Sequence, residues 1–145
     1  MYYFAYASNM NHALMKERCP GGRFLRKAKL PGYRFVYDGY SPETQGSVGN
    51  AVRSETESVL GALFEIMESD RLGLDGFEGR PGFYDRKEIE VMDDEGTVYK
   101  ALAFLRTPRP LGKPHPRYEK LVLEGAKDCR LPDEYMDQYL RVKRL

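Results

Sequence analysis

"FAYASNM", residues 4–10, passes without a spacer from an apolar run into Ala7-Ser8-Asn9, three small residues with two polar side chains among them, and then into an apparent helix. Residues 1–7 read as a buried strand. The following NMNHALMKERC sets Met10, Ala13, Leu14 and Glu17 at helical spacing, with Asn9 or Asn11 as the cap. A strand that meets a helix this tightly exposes backbone N–H groups that no helical carbonyl can reach. Such a corner suits a carboxylate or a polarised carbonyl.

Outward from the corner, Pro20-Gly21-Gly22 stops the helix, and FLRKAKLPGYRFVYDGY (24–40) reads as two short strands joined at Pro31-Gly32. The second of them alternates Tyr33, Phe35 and Tyr37 against Arg34 and Val36. SPETQGSVGN (41–50) reads as a loop. Asn50-Ala51-Val52 and SVLGALFEIM (58–67) read as strands, the latter too apolar to keep a wet face and therefore central. ESDRLGLDGFEG (68–79) reads as a short helical turn or loop capped by Ser69 or Asp70, and residues 84–105 as a hairpin about Asp94-Glu95-Gly96. The four prolines of TPRPLGKPHP (107–116) impose an extended connector and nowhere adopt the spacing of a PxxP ligand. Pro116 then opens a helix with Tyr118, Leu121, Val122 and Gly125 on one face, and Pro132 opens another whose cationic end suits its dipole. Strands with one early helix, followed by two late helices, predict a mixed α/β domain rather than a doubly wound sheet.

The 145 residues fit one domain, 1–145, large enough to bury a core without disulfides. Lys and Arg number 23 against 22 Asp and Glu, which leaves no general attraction for nucleic acid or anionic lipid. The partners expected are small molecules or protein, with no nucleic acid and no membrane. The chain carries neither a membrane-length apolar run nor a basic leader with an apolar core, and a cytoplasmic address is the expectation. Cys19 and Cys129 stand far apart without metal or redox spacing and read as buried or idle thiols.

Two stretches carry candidate chemistry. In the corner, Ser8 as a nucleophile needs an activating base, and spacing places neither His12 nor His115 beside it. The plain reading is a helix-capping corner. An intermediate reading has the backbone amides grip a ligand while the polar side chains complete its hydrogen bonds. In LDGFEGRPGFY (74–84), Glu78 lies between glycines among Phe77, Phe83 and Tyr84, where partial desolvation would raise its pKa and suit proton transfer. From spacing alone, a turn-capping role for Glu78 prevails. Two isolated histidines do not complete a zinc site. The basic cluster RFLRKAK reads as a solvated strand face, and a tyrosine stacking surface for single-stranded nucleic acid conflicts with the charge balance.

YFAYASNM, VLGALFEI, LDGFEGRPGFY and HPRYEKLVLEGAKDCRLPDEY, in this order, together resemble the γ-glutamylcyclotransferase-like family over nearly the whole chain. They match in turn its amino-terminal Tyr-Gly-Ser-Asn loop, its central Trp-Gly strand, its Leu-Asp-x-x-Glu-Gly segment followed by a tyrosine, and its carboxy-terminal helical region. The resemblance implies a small mixed β-barrel-like sheet with flanking helices. It also implies an enzyme, without cofactor or metal, that converts a γ-glutamyl amide to 5-oxoproline and a free amine, as in glutathione metabolism. Glu78 is then the catalytic acid/base, Tyr6, Ala7, Ser8 and Asn9 form the substrate loop, and Tyr84 and Tyr118 line the pocket of a monomer or homodimer. Ala7 stands where the family has glycine, and Leu60 where tryptophan is common. If position 7 requires a positive φ, alanine costs free energy there. The alternatives are a γ-glutamylamine cyclotransferase, a cyclotransferase that removes a γ-glutamyl protecting group, and, in a different class, a non-catalytic binder of a small metabolite.

Overall fold

The computed structural model describes residues 1–78 and 84–142, without the side chains of 75–78. Five strands close a barrel in the order β1-β3-β2-β4-β5: β1 Tyr2–Ala5, β2 Arg23–Ser41, β3 Gly46–Glu65, β4 Asp85–Met92 and β5 Val98–Leu105. β1 pairs antiparallel with β3 and parallel with β5, through Tyr3 and Leu102, and this second pairing closes the ring. The mixed α/β barrel with flanking helices agrees with the expected fold class.

The two short strands expected at 24–40 are one strand. Both halves of β2 pair with the same partner, from Arg23↔Glu65 to Ser41↔Gly46, and Pro31-Gly32 makes a bulge in the ladder instead of a reversal. Gly32 accommodates it with a φ of 82°, a conformation that costs glycine nothing. The loop expected at 41–50 shrinks correspondingly to the turn after Ser41, because Gly46 to Asn50 already belong to β3. The apolar 58–67 stretch does lie centrally, between β1 and β2, with Val59, Ala62 and Leu63 wholly buried. Gly61 is a contact requirement: a Cβ there would run into the Ala5 carbonyl and approach the Phe4 ring at 2.9 Å, so β1 could not pair at this distance.

The first helix, α1 (His12–Arg18), follows a short 3₁₀ turn at Ser8–Met10, and its cap is Asn11, whose side chain accepts from the Leu14 N–H at 3.1 Å. The stretch expected as a short helical turn or loop capped by Ser69 or Asp70 is the eleven-residue helix α2 (Glu68–Glu78), which begins before both. Asp70 reaches back to the Met67 N–H at 3.0 Å and so satisfies a donor at its start. The β4–β5 hairpin turns at Asp94-Glu95-Gly96 as expected. α3 (Pro116–Asp128) has Pro116 in its first turn and His115 as cap. α4 (Asp133–Tyr135) runs into a π-helical turn, Met136–Leu140. Of the cationic end expected in this helix, Arg141 is the C-cap, its N–H bonded to the Met136 carbonyl at 2.8 Å and its side chain paired with Asp137, while Lys143 and Arg144 lie outside the described residues. No helix among the described residues is long and apolar enough to cross a membrane.

α3 is the element that fixes the amino-terminal corner. A Cβ at Gly125 would lie 2.5 Å from the Asn11 nitrogen and 2.9 Å from the Met10 Cβ, so only glycine lets the helix come this close. Met10 is fully buried there, a contribution of about 1.5–3 kcal/mol for a side chain of its size. Asn11 Nδ2 donates to the Leu121 carbonyl at 3.3 Å. The basic strand face is solvated and paired across the sheet, Arg23 with Glu65, Arg26 with Asp93 and Lys27 with Asp94.

Candidate active site

The corner after β1 faces a narrow cleft lined by Tyr3, Tyr6, Ala7, Asn9, Gly49, Tyr84, Phe104 and Tyr118. Its cavity volume is about 20 Å³, room for about one water. Elements distant in sequence supply these residues: β1 and the corner after it, the start of β3, the chain just before β4, the end of β5 and the first turn of α3. Five of the residues singled out from the sequence, Tyr6, Ala7, Asn9, Tyr84 and Tyr118, therefore share one cleft. Ser8 is buried in the 3₁₀ turn beside them and does not line it. Glu78 is the last residue of α2, and its side chain lies outside the described residues.

The polar groups of the cleft hold one another. Tyr6 donates its hydroxyl to the Phe104 carbonyl at 2.5 Å, which ties the corner to β5. Asn9 is used at both ends of its amide: Nδ2 donates to the Tyr3 hydroxyl at 2.9 Å, and Oδ1 accepts from Arg18 Nη1 at 2.7 Å. Gly49 binds both pocket tyrosines through its backbone. Its N–H donates to the Tyr118 hydroxyl at 3.0 Å, and its carbonyl accepts from the Tyr84 hydroxyl at 2.8 Å. Because a donor, an acceptor and two aromatic faces are fixed by backbone groups, a ligand entering the cleft meets pre-set geometry.

Ala7 has φ −130°, so the corner does not use the left-handed region, and an alanine there carries no such penalty. Its methyl instead abuts the strand opposite, as the clash of a Gly49 Cβ with Ala7 Cβ at 2.7 Å shows.

Behind the cleft lies a buried polar cluster. Arg106 and Asp38, with side chains 2% and 1% exposed, form an ion pair of 2.5 Å. Burial pulls the Arg106 guanidinium down, but the neighbouring Tyr84 and the Asp38 carboxylate outweigh it and raise its pKa. The guanidinium stands 4.9 Å from the Tyr84 ring centre.

The two histidines lie elsewhere. His12 packs on Phe24 with ring centres 4.8 Å apart, and His115 caps α3 by accepting from the Arg117 N–H at 3.1 Å. Neither contact brings a base to Ser8. Both cysteines are buried, and burial pushes each thiol up to about 12, which keeps them protonated and poor nucleophiles. Among the described residues no group of three or more His, Cys, Asp or Glu side chains is arranged to hold a metal ion.

Sequence reasoning missed Tyr3, Gly49, Phe104 and the Asp38–Arg106 pair. Gly49 had a usable signal, since a glycine inside a strand marks a close backbone approach. Arg106 had one too, as a lone cation directly after the apolar run Ala101–Leu105.

The AIG2-like family model matches residues 58–139. Human γ-glutamylcyclotransferase is 28% identical over 141 residues, 94% of this chain and 75% of that protein. The bovine enzyme is 30% identical over 138 residues, 92% of this chain and 73% of that one. A solved γ-glutamyl cyclotransferase structure superposes with a TM-score of 0.92 at 26% identity, covering 100% of this chain and 89% of the other. The chain belongs to the AIG2-like family and is a γ-glutamylcyclotransferase-like enzyme.

Proposed function

We propose that the protein cyclises a γ-glutamyl amide to 5-oxoproline with release of a free amine, and that Glu78 moves the proton. The observation that supports this most is the convergence of the Tyr6–Asn9 corner with Tyr84 and Tyr118 on one small cleft, in a chain similar along nearly its full length to γ-glutamylcyclotransferases.

The substrate brings its own nucleophile. Its α-amine attacks the γ-carbonyl carbon, a five-membered ring closes, the amide C–N bond breaks, and the two protons shed by the former ammonium nitrogen end on the departing amine, which leaves as an ammonium ion. A tight cleft that holds the substrate folded back on itself supplies the near-attack pose, and well-oriented intramolecular reactions reach effective molarities of about 10⁵–10⁸ M. The α-amine is an ammonium at neutral pH and must first lose a proton. Between an amine near ~7.8 and a carboxylate near ~4.3 that transfer costs about 5 kcal/mol if neither is perturbed. Desolvation of a carboxylate narrows such a gap, and the protonated carboxyl then returns the proton to the leaving nitrogen. Backbone N–H groups at the corner stabilise the charge that grows on the γ-carbonyl oxygen.

The test is a mass-spectrometric assay for 5-oxoproline over a panel of γ-glutamyl amino acids, γ-glutamyl amines and γ-glutamyl-protected intermediates. Wild-type protein is expected to release it from at least one, and the Glu78→Gln variant to bind that substrate with similar affinity while turning over orders of magnitude more slowly. Near-normal cyclisation by the variant removes Glu78 from the role. Release from no member of the panel replaces the enzyme reading with a metabolite binder.

A further inference from the structure

The barrel wall behind the cleft holds a buried, hydrogen-bonded ion pair. Asp38 and Asn50 are wholly buried and Arg106 nearly so. Beyond the ion pair, Arg106 Nη2 lies 3.2 Å from both the Asp38 and the Val48 carbonyls and donates to them. Asn50 Nδ2 donates to Asp38 Oδ2 and to the Arg106 carbonyl, each at 3.1 Å, and its Oδ1 accepts from the Arg106 N–H at 3.2 Å. The Arg109 N–H also donates to Asp38 Oδ2 at 3.1 Å. One edge of the guanidinium is thus pinned to β2 and β3, while its carbon sits over the Tyr84 ring. That ring's hydroxyl in turn holds the Gly49 carbonyl, and the Gly49 N–H holds Tyr118.

Replacing a buried ion pair by apolar residues of similar volume is often neutral or stabilising, so folding alone gives little reason to keep this one. A planar cation does what an apolar residue does not: it fixes an aromatic ring over its face while its edge stays hydrogen-bonded. We propose that Arg106, locked by Asp38 and Asn50, is a positioning residue that sets the Tyr84 ring and, through it, the Gly49–Tyr118 wall of the cleft. The catalytic consequence rests on the reading of the cleft as a γ-glutamyl site, whereas the positioning of Tyr84 does not.

Two variants test this. Arg106→Lys keeps a cation for Asp38 but loses the plane. The double variant Asp38→Asn with Arg106→Met removes both charges, avoids a lone buried ion, and leaves an oxygen at position 38 for Asn50 and the Arg109 N–H. The protein is labelled with ring-¹³C tyrosine, and the Tyr84 signal is assigned through Tyr84→Phe. In both variants that signal is expected to move and its ring exchange to quicken, while those of Tyr99 and Tyr139 stay in place. With a turned-over substrate, kcat is expected to fall about tenfold or more with a smaller change in KM, the signature of lost orientation. A folded double variant with wild-type kcat overturns the proposal. If the wild-type protein releases no 5-oxoproline, that result counts against the reaction, and the Tyr84 signal decides alone: displacement supports positioning and constancy overturns it. Should the double variant fail to fold, the same criteria apply to Arg106→Lys, and failure of both to fold makes the pair purely structural and overturns the proposal.

Discussion

At position 49 the missing side chain lets three groups meet: the Ala7 methyl, the Phe35 ring and a backbone whose two polar atoms each hold a tyrosine. A Cβ there would lie 2.7 Å from Ala7 Cβ and 2.9 Å from Phe35 Cε2, so the corner or the ring must shift. Gly49→Ala is expected to cost about 1–3 kcal/mol by overpacking. Adding Ala7→Gly should recover part of that, because it removes the shortest of these contacts and leaves the one with Phe35. A double-mutant cycle by urea denaturation reads the coupling, and strict additivity would show that the two positions do not press on each other. The corner itself was legible because small polar residues after a strand are unusual. The partner across the cleft was not, since sequence spacing does not say which distant glycine an alanine faces.

Among the elements, the β4–β5 turn shows how a short motif organises itself. Asp93 accepts from the Glu95 N–H at 3.0 Å and the Thr97 N–H at 2.9 Å, while its other oxygen takes Arg26 and the Tyr99 hydroxyl, each at 3.2 Å. Burial pushes this carboxyl up, but the Thr97 and Glu95 N–H groups, with Arg26 and Tyr99, outweigh it and hold its pKa below the usual aspartate value. A depressed folded-state pKa contributes stability that is fully present above the unfolded value and is lost as pH falls through the folded one. Asp93→Asn is therefore expected to lower Tm at neutral pH and to converge on the wild type in acid. Thermal melts across that range check it, and a gap in Tm that persists undiminished in acid contradicts it. This hairpin was readable because all its instructions are local: alternating strands, an Asp-rich turn, and a glycine at φ 84°. The β2–β3 hairpin was not. Pro31-Gly32 carries the composition of a reversal, and only continued pairing of both halves with one partner makes it a bulge.

On the scale of the whole molecule, tyrosine hydroxyls join the late helical segment to the barrel. Tyr37 donates to the Leu140 carbonyl at 2.8 Å, and the Tyr135 oxygen accepts from the Leu60 N–H at 3.1 Å. Burial pushes the Tyr135 phenol up, so it stays neutral beside the apolar strand. Leu60 is half-buried at this junction, in the place where the family resemblance has tryptophan. Tyr37→Phe removes a buried donor and is expected to cost about 1–3 kcal/mol, with Leu140 as the group left short of a partner. Urea midpoints measure the loss, and hydrogen exchange should quicken first over residues 136–142. Uniform quickening across the barrel would mean that the contact stabilises the core rather than the docking.

The sequence by itself determined the local grammar: the tight corner, a cap at Asn9 or Asn11, the helix opened by Pro116, the central apolar strand, the β4–β5 hairpin, and enough ordered motifs to imply a mixed barrel of this family. Those features depend on neighbours within a few residues or on a pattern that repeats along one element. Only the tertiary structure decided that β2 and β3 are single long strands, that Gly49 serves Tyr84 and Tyr118 at once, and that Asp38 and Arg106 meet behind them. Each of those facts is a contact between positions tens of residues apart, where side-chain identity limits what is possible and the closure of the barrel selects which pair meets.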